Sequence, residues 1–450
     1  MVDHRCPEKR DKAKFCAAER LSLRRKRERY GMHTVETVNA VIMALFFICY
    51  SYQFFYVAVS LLRRPRDPGR ADYHRLAVLI AARNESAVIG ALLESLRAQN
   101  YPPELIDIYV GADNCTDDTA AVARAHGARV YERTDTVHVG KGYVLNYLLR
   151  CISEAGERYD AYVVLDADNV LDPDFLREID RVHSDGYEIV TCYRNSKNYG
   201  DNWISAGYAL WFLREARYLN AARMTLGSSC AVSGTGFLFS DRVLRNAGGW
   251  GFFLLTEDIE FTIDSVTRGV KIGYAGGAVL YDEQPTSFRQ SWRQRLRWSK
   301  GYLQVFRRYG GALFAGILRG SFSCYDMAMN IMPAAVLTGT SVVVNVGAAV
   351  SRFVSGGSMA ALGVSMLQTL LSLYLTLFIL GAVTTATEWR SIHCPERKKL
   401  LYAFTFPLFM LTYIPICIAS LFTRVEWKPI RHERAMTLEQ IRGSVLGTPQ

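Results

Sequence analysis

YVVLDADN, residues Tyr162–Asn169, decides how the chain reads. Its first half is an unbroken apolar run, the composition of a strand buried on both faces. Its end is acidic, with Asp166 and Asp168 one residue apart. Two carboxylates so close at a strand end call for a compensating cation, because like charges out of water disfavour each other. The hard ions Mg2+ or Mn2+ suit them, with waters and substrate phosphates filling the remaining positions. A solvated acidic turn is the plain alternative, and the second acidic strand end at Asp113 counts against it.

The flanking segments alternate between two periods. Arg75–Arg83, Leu105–Asp113 and Ala128–Arg133 are short apolar runs with strand character. Between them, residues 87–99, 118–127 and 143–155 read as amphipathic helices. Asn84–Ser86 offers capping groups to the first, and Gly140-Lys141-Gly142 opens the third. Such alternation predicts a doubly wound, parallel α/β sheet with ligands at the carboxyl ends of its strands. Arg83, Glu85, Asp113, Asp166 and Asp168 all fall at those ends. Lys141 beside a helix N-terminus attracts phosphate, although GxxxxGK[ST] spacing is absent.

The composition is uneven. The chain has 450 residues, 50% of them apolar and 21% charged, and a net charge of +10. Its ten cysteines show no zinc spacing and read as reduced thiols. Four apolar stretches begin near Val35, Met327, Ala361 and Leu400 and end near Leu62, Val350, Thr387 and Phe422. Each reaches the roughly 20 residues that a membrane-crossing helix needs. The implied order is a basic N-terminal segment (1–33), a transmembrane helix (34–62), a soluble domain (63–310) and an interfacial segment (311–326). Three transmembrane helices (327–422) and a tail (423–450) follow.

Arg63, Arg64, Arg66 and Arg70 put the soluble domain on the cytosolic side, as do Arg390, Arg397, Lys398 and Lys399. The N-terminus then lies outside, against the basic run Arg20–Arg29, unless Met32 is the native start. The tail, with Arg424, Lys428, Arg431 and Arg434, also lands outside, a second strain on that rule. Basic residues gather beside membrane segments, so anionic lipid rather than nucleic acid accounts for the charge.

Two further motifs carry chemistry. Thr256-Glu257-Asp258 offers a general base, or simply an acidic first turn capped by Thr256. Gln294-Arg295-Leu296-Arg297-Trp298 lies in a basic aromatic helix, suited to phosphate contact and sugar stacking or to a membrane surface.

Asp113, DADN, SGTGF (Ser233–Phe237), TED and QRLRW occur in the order and rough spacing of the processive family 2 glycosyltransferases. The chain resembles that group, which includes the cellulose, chitin and hyaluronan synthases, closely over residues 75–305. The resemblance implies a GT-A fold, a Rossmann-like glycosyltransferase domain set between the membrane helices and facing the cytosol. It implies that Arg83, Glu85 and Asp113 hold the nucleotide, with Lys141 on the diphosphate side. Asp166 and Asp168 become the metal pair, Asp168 the direct ligand. Ser233, Gly234 and Thr235 border donor sugar and acceptor. Asp258 is the catalytic base, and Gln294, Arg297 and Trp298 cover the pyrophosphate and the acceptor end. The expected activity is inverting transfer of a hexose from a UDP-sugar to a growing β-linked polysaccharide, coupled to export. Transfer to a lipid or lipid carrier is the neighbouring alternative, and a non-catalytic transport subunit a more distant one. The membrane part is small for a sealed channel, so an oligomer or partner subunit, or the stretches Trp203–Met224 and Leu303–Arg319, would have to complete it.

Overall fold

The computed structural model describes residues 37–63, 65–354, 360–430 and 432–443. Arg20–Arg29, Met32, Arg64, Arg431 and residues 355–359 fall outside that range. The chain divides into two compact units. The larger holds Ser51–Ala335 and Tyr374–Gln450; the smaller holds the chain up to Tyr50 and Val336–Leu373.

Helix α1 covers Thr37–Leu62. There follow β1 (Leu76–Ala82), α2 (Ile89–Arg97), β2 (Ile106–Asp113), α3 (Thr119–Ala125), β3 (Arg129–Arg133), α4 (Lys141–Glu154) and β4 (Ala161–Asp166). These strands pair in parallel, β1 with β2 and β4, and β2 with β3. Val78, Ile80, Val110, Val163 and Leu165 have no exposed surface, which is why the strands read as unbroken apolar runs. Asn84–Ser86 does not cap α2, which starts at Ile89 without a side-chain cap. Asn84 instead adopts a left-handed φ of 57°, and its Oδ1 accepts the Thr116 N–H at 2.7 Å, tying the end of β1 to the turn after β2.

Beyond β4 the sheet is mixed. β5 (Val170–Leu171), α5 (Phe175–Ser184) and β6 (Ile189–Ser196) lead into α6 (Trp203–Arg214), a π-helical segment (Glu215–Asn220) and α7 (Ala221–Leu226). β7 (Phe237–Ser240), α8 (Asp241–Asn246), α9 (Glu257–Thr267) and β8 (Ile272–Asp282) complete an eight-stranded sheet of order β3-β2-β1-β4-β7-β6-β8-β5. β7 runs antiparallel to β4 and β6, and β5 antiparallel to β8. The purely parallel expectation is therefore corrected in this half. The chain reaches the far edge at Cys230, whose N–H donates to the Ile272 carbonyl, then runs back and enters β7 at Phe237 from the edge at which its neighbours end, so the strand runs antiparallel. One consequence matters for the site. The carboxyl ends of β1, β2, β4, β6 and β8 and the start of β7 share one edge.

The remaining helices are α10 (Phe288–Leu318), α11 (Phe322–Ile331), α12 (Pro333–Val354), α13 (Ala360–Thr387), α14 (Glu396–Leu411), α15 (Tyr413–Phe422) and α16 (Leu438–Gly443). Among the described residues three helical stretches are long and apolar enough to cross a membrane: Thr37–Leu62, Met366–Thr387 and Glu396–Phe422. Gly339–Ser351 is a shorter apolar helix. The expected span from Met327 is split, because Met327, Ala328 and Ile331 belong to α11 and are buried. In α11, Asp326 forms a fully buried ion pair with Arg223 at 2.7 Å and accepts the hydroxyls of Tyr52 and Tyr56, both at 2.8 Å. In the smaller unit the Asn39 and Asn345 amides exchange hydrogen bonds at 3.0 and 2.9 Å.

Both ends of α14–α15 rest on the larger unit. Lys398 Nζ donates to the Gly200 carbonyl at 2.6 Å, and Lys300 Nζ to the Ser420 carbonyl at 2.9 Å. The tail then returns across the sheet edge, and Ile441 of α16 is buried beside Val170 and Tyr281. The tail, read from its charges as landing outside, thus packs against the soluble domain. Its contacts with that domain include an Arg434–Asp201 ion pair at 2.9 Å.

Candidate active site

The shared strand edge gathers most of the residues singled out in the sequence. At the end of β4, Lys141 Nζ donates to Asp166 Oδ1 at 2.5 Å and to the Gly234 carbonyl at 2.8 Å. Asp168 is 4% exposed, and its Oδ2 accepts the Glu283 N–H at 2.8 Å. Burial acts to raise its pKa, but the charges of His432 and Lys197, the Glu283 N–H and Arg194 outweigh burial and hold the carboxyl below its ordinary value. Asp113, also buried, pairs with Arg133 at 2.6 Å. Glu85 is pushed up to about 7 by burial, although His432 sits 3.0 Å from it. The Arg83 guanidinium lies 5.8 Å from the centroid of the Trp427 ring.

Asp258 faces the same edge from the first turn of α9. Its Oδ2 accepts the Gly234 N–H at 2.6 Å, a contact that needs the left-handed φ of +76° at Gly234. Thr256 occupies the N-cap position without a side-chain cap, and Glu260 accepts the Phe253 and Leu254 N–H groups, both at 2.9 Å. Burial raises the pKa of Asp258, and burial together with the Asp258 charge pushes neighbouring Glu257 up to about 7. Gly142 brings α4 against this turn, since a Cβ there would stand 2.1 Å from the Phe252 carbonyl oxygen. Arg297 Nη1 donates to the Leu255 carbonyl at 2.8 Å, and its charge acts on both Glu257 and Asp258.

The proposed acceptor residues divide. Thr235 Oγ1 donates to Asn169 Oδ1 at 2.6 Å and accepts the Asp166 N–H at 2.9 Å, so it braces the DADN turn. Ser233 Oγ donates to Glu215 at 3.3 Å. Gln294 Oε1 is buried without a hydrogen-bond partner among the described residues. Trp298 packs edge-on against Tyr208 and Phe212, at 5.7 and 6.2 Å between ring centroids, in a cluster with Phe409. Trp298 thus joins the apolar packing of α6, α10 and α14 and stays partly exposed.

Several residues at this edge escape a reading by motif. Glu215 starts the π-helical segment and has its pKa raised by burial. Lys197 follows β6 and is 2% exposed. Arg194 pairs with Asp282 and stacks over Phe212 at 3.7 Å. His432 comes from the tail; despite burial, Asp168, Glu85 and Glu283 raise its pKa to about 10. The Glu433 and Arg434 N–H groups donate to Glu283 at 3.2 and 3.0 Å. No periodicity marks the tail residues, and only their return in space reveals them. A cavity of about 360 Å³ lies at the opposite edge, lined by His74, His183 and Glu188 among others, and contains none of the predicted site residues.

Among the described residues no three His, Cys, Asp or Glu side chains converge to hold a metal ion. Asp168 and Asp166 would offer carboxylate oxygens, a donor type that suits a hard cation whose other ligands come from substrate phosphates and water.

The family described as Glycosyltransferase like family 2 matches residues 74–301. Beta-monoglucosyldiacylglycerol synthase of Synechocystis sp. is 26% identical over 249 residues, 54% of this chain and 51% of that one. Poly-beta-1,6-N-acetyl-D-glucosamine synthase of Staphylococcus aureus is 25% identical over 279 residues, 60% of this chain and 65% of that one. The matches span between half and two thirds of the length of these relatives. The solved structure of mannosyltransferase PcManGT from Pyrobaculum calidifontis, in complex with GDP-Man and Mn2+, superposes with a TM-score of 0.54 at 16% identity. It covers 86% of this chain and 99% of that one, which shows the shared fold. The chain belongs to the glycosyltransferase-like family 2, and its soluble domain has the GT-A fold.

Proposed function

We propose that the chain transfers a sugar with inversion from a UDP-sugar to an acceptor hydroxyl presented at the membrane, extending a β-linked glycan. The observation that carries this reading is the convergence of Asp168, the Lys141–Asp166 pair, Asp258 on Gly234, and Arg297 at one strand edge. Arg83, Glu85 and Asp113 hold the nucleotide in this reading. A divalent cation, Mg2+ or Mn2+, held by Asp168 and Asp166, would offset charge on the diphosphate. Asp258 accepts the acceptor's proton as its oxygen attacks the anomeric carbon. The bond from that carbon to the phosphate oxygen breaks on the opposite face. The nucleoside diphosphate leaves with the electron pair, near the Lys141 and Arg297 cations. Burial lifts the Asp258 pKa, which makes its carboxylate a better base than a free aspartate.

A lipid acceptor is the second reading, favoured by the apolar cluster of Tyr208, Phe212 and Phe409 against which the half-buried Trp298 packs. The two curated relatives are named for each acceptor class. Membranes containing the protein, given a panel of UDP-sugars with Mg2+ or Mn2+, test both readings through UDP release and product size. A long water-soluble product supports the glycan, and a single sugar on extractable lipid supports the second reading. No UDP release with any donor or cation would remove the UDP-sugar assignment.

α1, α12 and α13 make the membrane crossings in this reading. α14–α15, with both ends on the soluble domain, makes no net crossing, and the tail stays on the cytosolic side. The basic tail then ceases to strain the positive-inside rule.

A further inference from the structure

Lys197 follows directly after β6, and its N–H donates to the Asp282 carbonyl at 2.9 Å, so its backbone is pinned to the end of β8. Its side chain is buried, and Nζ has no hydrogen-bond partner among the described residues. An ammonium stripped of water and given no acceptor is costly, and such groups call for an explanation.

The neighbouring charges supply one. Lys141 bonds to Asp166, Arg194 to Asp282 and His432 to Glu85. Each of those cations has its own carboxylate. Among the described residues Lys197 has none in direct contact and Asp168 has no cation in direct contact, its Oδ2 being taken by the Glu283 N–H. Asp168 is nevertheless the strongest of the carboxylates acting on Lys197, ahead of Glu283, Asp282 and Glu85. The two groups act on each other across a gap. A lysine is a compact point charge with three donors, suited to a phosphate oxygen.

We propose that Lys197 is a donor-binding residue whose ammonium takes an oxygen of the distal phosphate of the nucleotide-sugar, beside Asp168. This rests on the reading of the edge as the nucleotide-sugar site. It assigns diphosphate recognition to both sides of that edge, Lys141 from α4 and Lys197 from β6. In this proposal Lys197 meets only the distal phosphate, so recognition of a monophosphate should be independent of it.

Calorimetric binding of UMP, UDP and GDP to the full-length protein, with and without Mn2+, tests the proposal. Lys197→Met should weaken UDP binding by about tenfold or more while UMP binding stays unchanged. Lys197→Gln, which keeps a donor without the charge, should give an intermediate loss. The melting temperature of the ligand-free variants should not fall, because a buried charge has been replaced by a residue that needs none. Equal losses for UMP and UDP with a lowered melting temperature would make Lys197 a structural counter-ion and overturn the proposal. So would unchanged affinity for both. Asp168→Asn separates the two levels. If it weakens UDP binding and Lys197→Met does not, only the lysine assignment fails. If wild type binds neither UDP nor GDP, or Asp168→Asn leaves UDP binding intact, the donor-site reading fails as well.

Discussion

Asp258 and Glu257 stand side by side at the start of a buried helix, and their environment makes them unequal to ordinary carboxyls. Asp258→Asn should cut sugar transfer by about 10²–10⁴-fold, the usual worth of a positioned base, and leave UDP binding intact. Turnover near that of wild type would remove Asp258 from the role. Glu257 gives a pH signature. Its folded pKa, about 7, stands above the ordinary value of 4.5, because of burial first and Asp258 second. A carboxyl raised in the folded state contributes its stability below the ordinary pKa and loses it as pH climbs through the folded one. The melting temperature of wild type should therefore decline between about pH 5 and about pH 8 more than that of Glu257→Gln. Parallel curves would exclude Glu257 as the cause. The motif TED in the sequence shows that acids cluster here; the Gly234 N–H and the nearness of Lys141 that give them purpose lie far away along the chain.

Two elements carry more than their sequence announces. The first is the joint of α1, α7 and α11, where Arg223 and Asp326 are both fully buried and two tyrosines of α1 complete the hydrogen bonding. Asp326→Asn should destabilise the protein by about 3–5 kcal/mol, since it leaves the arginine charge buried and uncompensated. Thermal inactivation in detergent reads this out, and the double variant Arg223→Met with Asp326→Leu should recover much of the loss. The second is the tail from Arg424 to α16, which lays Trp427 beside Arg83 and Gly140 and His432 on Glu85. Removing residues 424–443 strips these contacts from the donor side and should weaken UDP binding by about tenfold. Unchanged binding would make the tail a passive strap. The strands β1–β4 and helices α2–α4 were readable because each buries one repeating pattern. The joint and the tail were not, because single polar residues set deep inside leave no period to read.

For the whole molecule, topology is the test of how far the apolar stretches can be trusted. An epitope fused after Gln450 should be reached by antibody only from the face that exposes the soluble domain. Access from the opposite face would make α14–α15 a crossing. Local sequence alone determined the α/β alternation, the acidic strand ends and the presence of long apolar helices. Those features depend on unbroken apolar runs, on their length and on recurrence near 3.6, all of which are visible along a chain. The antiparallel β7 depended on the side from which its strand enters the sheet, which the pattern of the strand itself does not encode. The place of Trp298 in an aromatic cluster depended on Tyr208, Phe212 and Phe409, three side chains from distant segments. The same holds for the charges that frame Asp168. Glu283, Lys197 and His432 reach it from three separate stretches, and their burial, not their spacing, sets what Asp168 can hold. Electrostatics acts through space and weakens with distance there, so only tertiary structure could decide which charges meet.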